Sequence, residues 1–128
     1  RSEMQYEYFY GAQAEQFSFY RIPKALFTEP NFRELSTDAK VLYGILLDRM
    51  SLSLKNQWLD AQNKVYIIFT VDEIMDALNC ANQKATRLMV ELEKQAGLIE
   101  RKRQGLGRPN LTELILIIIR LIIVILRI

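Results

Sequence analysis

The sequence predicts an α+β fold in which two short helices are followed by a glycine stop and a basic hairpin. Thr70-Val71-Asp72-Glu73 has the pattern of a capping box, in which a hydroxyl and a carboxylate accept hydrogen bonds from the free N–H groups at a helix start. The turn Asn79–Ala81 leads to a second helix, and Gly97 ends that helix because glycine adopts positive φ without penalty. Residues 98–103 combine apolar and charged positions as an exposed strand does. This order is typical of a winged helix-turn-helix.

One short helix, one long helix and a strand are predicted ahead of this unit. Pro23 can start a short helix that runs through Phe27. Ser36 is a good N-cap, and Asp38 in the first turn complements the helix dipole. The long helix carries an apolar stripe at helical spacing, formed by Ala39, Leu42, Tyr43, Leu46 and Met50. Val65–Phe69 has the β-branched and aromatic composition of a short strand.

Residues 1–22 predict a β-hairpin rich in aromatic side chains, because tyrosine and phenylalanine alternate with polar residues on both sides of a polar break. An isolated two-stranded hairpin is marginally stable in water, so this one packs either on its own domain or on a second subunit. We favour a homodimer. The expected interface residues are Tyr6, Tyr8, Tyr10, Phe17 and Phe19.

Composition excludes several function classes. The chain has 128 residues, enough for one domain with a core, and its net charge is only +2. It has no histidine, which removes the commonest general base and most zinc sites. We therefore expect no enzyme, no catalytic residues, no cofactor and no metal. The single cysteine, Cys80, and a start unlike a signal peptide favour the cytoplasm.

The chemistry of the predicted elements points to double-stranded DNA. The second helix of a helix-turn-helix enters the major groove with its N-terminal residues at base edges. Asn and Gln can pair with adenine there, and Lys and Arg can contact guanine or phosphate. The clustered cations of the hairpin would bind phosphate. The candidate DNA-binding residues are Asn82, Gln83, Lys84, Thr86 and Arg87 on the helix, and Arg101, Lys102, Arg103, Arg108 and Asn110 on the wing.

Each of these charged groups also has a plain structural explanation. Lys84 and Arg87 could form a solvated helix face, and Arg101–Arg103 could protect a sheet edge from pairing with another chain. Their coincidence on the two elements that a winged helix uses favours the DNA-binding interpretation. The carboxylates Asp72 and Glu73 are explained by capping.

Three stretches resemble one family. They are Phe19-Tyr20-Arg21-Ile22-Pro23-Lys24-Ala25-Leu26-Phe27, the segment from Leu35 to Met50, and the segment from Gly97 to Asn110. They are similar to the N-terminal domain of the plasmid replication initiator RepA of Gram-positive bacteria. The resemblance implies a winged helix that binds repeated sites at a plasmid origin, commonly as a dimer. It also implies a C-terminal domain similar to that of the primosomal protein DnaD, through which replication machinery is reached. We therefore expect this chain to be the DNA-binding part of a longer protein.

The end of the chain differs from the rest in composition. We expect residues 23–117 to form the winged helix, with residues 110–117 returning as the partner of the strand at 98–103. Residues 118–128 form an atypical apolar tail. The run from Leu114 is short for a membrane helix and Arg120 interrupts it. A fully buried strand pair or a strand at a dimer interface is a further possibility, but we favour a product of truncation or cloning.

Three functions are compatible with these features. The first is sequence-specific binding of origin repeats by an initiator. The second is a winged-helix transcriptional regulator, which shares every physical feature because a fold does not fix a function. The third is a protein-interaction module without a role on DNA.

Overall fold

Helices and strands alternate along most of the chain. The computed structural model describes residues 4–11, 18–55, 59, 61–103 and 115–120. The helices are α1 Ala25–Thr28, α2 Thr37–Lys55, α3 Val71–Leu78 and α4 Asn82–Val90, with a short 3-10 turn at Pro30–Phe32 and a π turn at Glu91–Gln95. The strands are β1 Tyr66–Phe69, β2 Ile99–Arg103 and β3 Ile115–Ile119. The mixed α+β class and the helix-turn-helix order are confirmed.

Helix α2 forms the centre of the core. Its predicted N-cap is confirmed, because the Ser36 hydroxyl accepts a hydrogen bond from the backbone N–H of Ala39 at 3.1 Å. The stripe predicted for this helix is buried over its first three turns, and Met50 packs partly buried against the core. None of the helices in the described ranges combines the length and apolar composition that crossing a membrane requires. Helix α2 packs against α3, α4 and the strands β1 and β3.

The helix-turn-helix begins and ends as the sequence predicts. The backbone N–H of Glu73 donates to the Thr70 hydroxyl at 3.0 Å, and the Thr70 N–H donates to the Glu73 carboxylate at 3.2 Å. Helix α3 ends at Asn79, whose φ of 53° is left-handed, a conformation that asparagine tolerates. The second helix continues through the π turn, and Gly97 follows with a φ of +67°. Both predicted boundaries, the capping box and the glycine stop, are confirmed.

The sheet has the order β1-β3-β2, with antiparallel pairing throughout. Its central strand, β3, pairs through Ile117 with Ile67 on one side and with Arg101 on the other, and Ile117 is fully buried. Our expected start at residue 110 lies outside the described residues, and the strand extends two residues past the expected boundary at residue 117. The predicted pairing of this segment with the strand at 98–103 is confirmed for residues 115–117. Four of the five residues of β3 are isoleucine, whose β-branched side chain favours strands.

The N-terminal segment is anchored to α2 by a close approach. A Cβ atom at Gly44 would lie 2.8 Å from Cγ1 of Ile22 and 3.0 Å from the Arg21 carbonyl oxygen. Residues 4–10 and 18–22 contain no strand, and residues 4–10 are exposed throughout. Residues 12–17, which include Phe17, lie outside the described part of the chain. The aromatic hairpin therefore stays a prediction.

Candidate nucleic-acid interface

Helix α4 presents one apolar face to the core and one polar face to solvent. Ala85, Leu88 and Met89 are buried. The opposite face is exposed and carries four of the five candidate residues that we predicted on this helix, namely Asn82, Gln83, Thr86 and Arg87. The Thr86 hydroxyl lies 3.5 Å from the Asn82 side-chain oxygen, at the limit of a hydrogen bond. This face therefore offers amide, hydroxyl and guanidinium groups, which are the groups that read base edges.

The fifth candidate on this helix, Lys84, is already paired with a carboxylate. Its ammonium lies 2.7 Å from Oδ2 of Asp38, in the first turn of α2. The two side chains are 42% and 53% exposed. In the free domain this lysine is therefore directed towards α2, and a contact with DNA would require it to leave or share its partner.

A second contact between the same elements is buried and was not predicted. The Glu91 carboxylate accepts hydrogen bonds from the backbone N–H and from the hydroxyl of Ser36, both at 2.9 Å. Glu91 is only 8% exposed. It follows Leu88 by three residues and so falls on the apolar face of the helix. An acidic residue on the apolar face of a helix is the sequence feature that could have predicted a buried polar partner for Glu91.

The first strand of the wing, β2, carries cations in two different environments. The Arg101 guanidinium donates to Oε1 of Glu93 from Nε at 2.9 Å and from Nη2 at 2.7 Å, and both side chains are largely buried. Burial by itself would raise the pKa of the Glu93 carboxyl, but the hydrogen bonds and charge of Arg101 outweigh it, and the pKa lies below its usual value. Lys102 is exposed. Arg103 ends the strand, and Arg108 and Asn110 lie outside the described residues.

Arg120 closes the base of the wing, a role that the sequence did not reveal. Its guanidinium donates to the Glu100 carboxylate from Nη2 at 2.6 Å and to the Gly97 carbonyl from Nη1 at 3.4 Å, while its backbone N–H donates to the Leu98 carbonyl at 2.8 Å. The hydrogen bond and charge of Arg120 hold the pKa of the Glu100 carboxyl below its usual value. The Tyr43 hydroxyl donates to the Arg120 carbonyl at 2.9 Å, and burial raises the pKa of Tyr43 to about 12. Arg120, the residue directly after β3, is thus tied to α2 and to the end of the second helix.

A third polar cluster positions the start of the helix-turn-helix. Arg49 of α2 pairs with the capping carboxylate of Glu73. Its guanidinium carbon lies 4.6 Å from the centroid of the Phe69 ring, at the end of β1, which is cation–π distance. Glu73 therefore serves both the cap of α3 and the packing of α3 on α2.

Comparisons with known proteins agree on one family. The family model described as the N-terminus of replication initiator protein A (RepA) matches residues 18–118. A 41 kDa protein of Lactobacillus helveticus is 33% identical over 92 residues, which are 72% of this chain and 26% of that protein. The chain thus spans about a quarter of the length of this relative. The family match also extends past Leu114, into the run that we ascribed to truncation or cloning, and includes most of β3.

Three solved structures are similar over nearly the whole chain. The N-terminal domain of a DNA-binding protein has a TM-score of 0.70 and 36% identity, and the match covers 92% of this chain and 86% of that one. A Rep–DNA complex has a TM-score of 0.69 and 36% identity, with 91% of this chain and 85% of that one covered. An MDR initiator has a TM-score of 0.66 and 38% identity, with 91% of this chain and 88% of that one covered. The family match covers residues 18–118, and the structural similarity covers 91–92% of the chain. This chain belongs to the family of N-terminal domains of replication initiator protein A.

Proposed function

We propose that this domain binds double-stranded DNA at the repeated sites of a plasmid origin, with α4 as the helix that reads the bases. The observation that carries the proposal is the exposed face of α4, where Asn82, Gln83, Thr86 and Arg87 stand at the N-terminal half of the second helix of a helix-turn-helix. That half reaches base edges in proteins with this motif. The proposed activity is recognition without catalysis, in the cytoplasm.

The solved neighbours support this proposal. One of them is a Rep–DNA complex that is 36% identical to this chain and similar over 91% of its length. The family itself is one of replication initiators, and origin binding is the step for which an initiator needs a domain of this kind. We extend the proposal to the longer protein, whose remaining part would contact the replication machinery.

The wing contributes contacts to phosphate in this proposal. Lys102 is the exposed cation on the described part of β2, and Arg103, Arg108 and Asn110 stay predicted contacts. Arg101 has a different role, because its guanidinium donates hydrogen bonds from Nε and Nη2 to Glu93. We assign it to holding β2 against the π turn that continues α4.

A binding assay tests the reading helix. The duplex is selected from a random library with the unaltered domain, and affinities for this duplex and for a scrambled one are measured by fluorescence anisotropy. Replacing Arg87 with Ala should weaken binding to the selected duplex by about 1–3 kcal/mol, the value of one good bidentate base contact, with a much smaller loss for the scrambled duplex.

The matched control removes the same charge elsewhere. Arg21 is exposed on the N-terminal segment, whose backbone packs on α2 at Gly44. Arg21→Ala should leave the preference for the selected duplex unchanged. If Arg87→Ala and Arg21→Ala give the same affinities, α4 does not read the bases and the proposal is wrong.

We also propose that two copies associate through the N-terminal segment. Tyr6 and Tyr8 are both 85% exposed, and large aromatic side chains clustered at a surface mark interfaces. The proposed interface comprises Tyr6, Tyr8, Tyr10, Phe17 and Phe19. Sedimentation velocity of a Tyr8→Ser/Phe19→Ser variant should show a monomer where the unaltered chain is a dimer. A variant that sediments with the unaltered chain would place the interface elsewhere.

A further inference from the structure

The first turn of α2 holds α4 at two points on one helix face. Lys84 and Glu91 stand at positions i and i+7, which share a face, and their partners, Asp38 and Ser36, lie two residues apart at the start of α2. The Glu91 contact is buried and made of two hydrogen bonds to a carboxylate. It suffices to fix the orientation of the helix.

The other contact has a different character. Lys84 and Asp38 are both about half exposed, and ion pairs at such sites contribute little to stability. Lys84 stands one residue after Gln83 and three before Arg87. The pair therefore places the Asp38 carboxylate beside the N-terminal half of α4. If α4 lies in the major groove, this carboxylate is near the DNA backbone.

We propose that Asp38 is a specificity-determining residue, which holds Lys84 and so limits binding to duplexes of any sequence. The inference rests on the proposed role of α4. An ammonium paired with a carboxylate neutralises no phosphate and releases no counterion from DNA, so it adds nothing to the sequence-independent part of affinity. The reading residues Asn82, Gln83, Thr86 and Arg87 do not take part in the pair, and their contribution to the preferred site is untouched.

The effect of releasing the lysine follows from the same counterion argument. One additional phosphate contact steepens the dependence of log K on log salt by about 0.9, which amounts to about an eightfold higher affinity at 0.1 M salt relative to 1 M. A released lysine can reach phosphates freely when the protein is loosely placed on random DNA. When α4 is bound at the selected site, the Glu91 contact fixes the helix on α2, and Lys84 stays on the face of α4 that is directed towards α2. The gain is therefore larger on random duplex than on the selected site.

The experiment measures salt-dependent affinity of Asp38→Asn for a random duplex and for the selected duplex. We expect affinity for random duplex to rise about five- to tenfold at 0.1 M salt with a slope steeper by about 0.9, and affinity for the selected duplex to rise by about twofold or less. The gain should vanish when Asp38→Asn is made in a Lys84→Gln background. The control is Asp48→Asn, an exposed carboxylate ten residues along the same helix and about 15 Å away by helical rise, which should change neither affinity nor slope.

Three results would overturn the proposal. The first is an unchanged slope in Asp38→Asn, and the second is a gain that persists in the Lys84→Gln background, which would reflect mere loss of negative charge. The third is an equal gain on both duplexes, since Asp38 would then set affinity and not specificity. A Lys84→Gln variant of otherwise unaltered sequence gives an independent measurement: a slope flattened by about 0.9 would mean that Lys84 already contacts phosphate. Failure of the proposed function is distinguishable, because Arg87→Ala would then have no effect on the selected duplex.

Discussion

Replacing Ile117 with Ala tests whether the isoleucine-rich end of the chain is part of the folded domain. Ile117 is fully buried in the central strand, opposite Ile67 in β1 and Arg101 in β2. The substitution removes three carbon atoms, each worth about 0.8 kcal/mol of transfer free energy when buried. A cavity term adds to this because a central strand, paired on both edges, cannot collapse into the space.

The expected loss in the free energy of unfolding is therefore about 3–4 kcal/mol, within the range for isoleucine-to-alanine changes in cores. Urea unfolding followed by circular dichroism measures it, with an unchanged m-value showing that the variant unfolds from a comparably compact state. A suitable control is Val90→Ala, since Val90 is also β-branched but exposed on α4.

We expect the Val90 variant to lie within about 0.5 kcal/mol of the unaltered domain. A cost below about 1 kcal/mol for Ile117→Ala would refute the placement of β3 at the centre of the sheet. The isoleucine-rich run would then be a tail that the fold does not need.

The remaining predictions concern the polar contacts around the second helix. Glu91→Ala should lower the free energy of unfolding by about 3 kcal/mol, because two buried hydrogen bonds from Ser36 are lost. Glu91→Gln should lower it by about 1 kcal/mol, because one acceptor oxygen remains. Equal losses in the two variants would show that the hydrogen bonds contribute nothing. The raised pKa of Tyr43 means that the folded state keeps a proton which the unfolded state loses near pH 10, so stability should fall from pH 10 towards 12, and less in Tyr43→Phe. The lowered pKa of Glu93 means that its pairing with Arg101 stabilises the fold above the usual carboxyl pKa of 4.5 and is lost as pH falls below it. The difference in unfolding free energy between the unaltered domain and Glu93→Gln should accordingly shrink in acid, and a difference that stays constant with pH would contradict this.

Local signals predicted the helix-turn-helix because short-range contacts determine it. The hydroxyl of Thr70 and the carboxylate of Glu73 are close in sequence, and their reciprocal hydrogen bonds form whenever the chain turns into a helix there. The positive φ at Gly97 is likewise a property of one residue. The polar face of α4 follows from its 3.6-residue period alone.

The partners of the charged residues could not be predicted in the same way. Asp38 and Lys84 meet only because α2 and α4 pack together, and Ser36 reaches Glu91 across 55 residues of sequence. Sequence patterns place each residue on an element but leave open which element lies opposite. The pairing of β3 with β2 was predicted, but its register and its central place beside β1 were not, because a run of isoleucine and leucine without alternation carries no register.

This pairing of charges changes what one copy of the domain can contribute to DNA binding. Two of the cations that the sequence offered, Lys84 and Arg101, are held by carboxylates of the domain itself, and the net charge of the chain is only +2. Few phosphate contacts per copy mean modest affinity for any single duplex and a shallow salt dependence. Under the proposed function, strong binding would then come from base contacts by α4 and from the proposed association of copies, since linked binding events raise overall affinity without new contacts. Repeated sites would supply this gain to associated copies, whereas an isolated site bound by one copy would lack it.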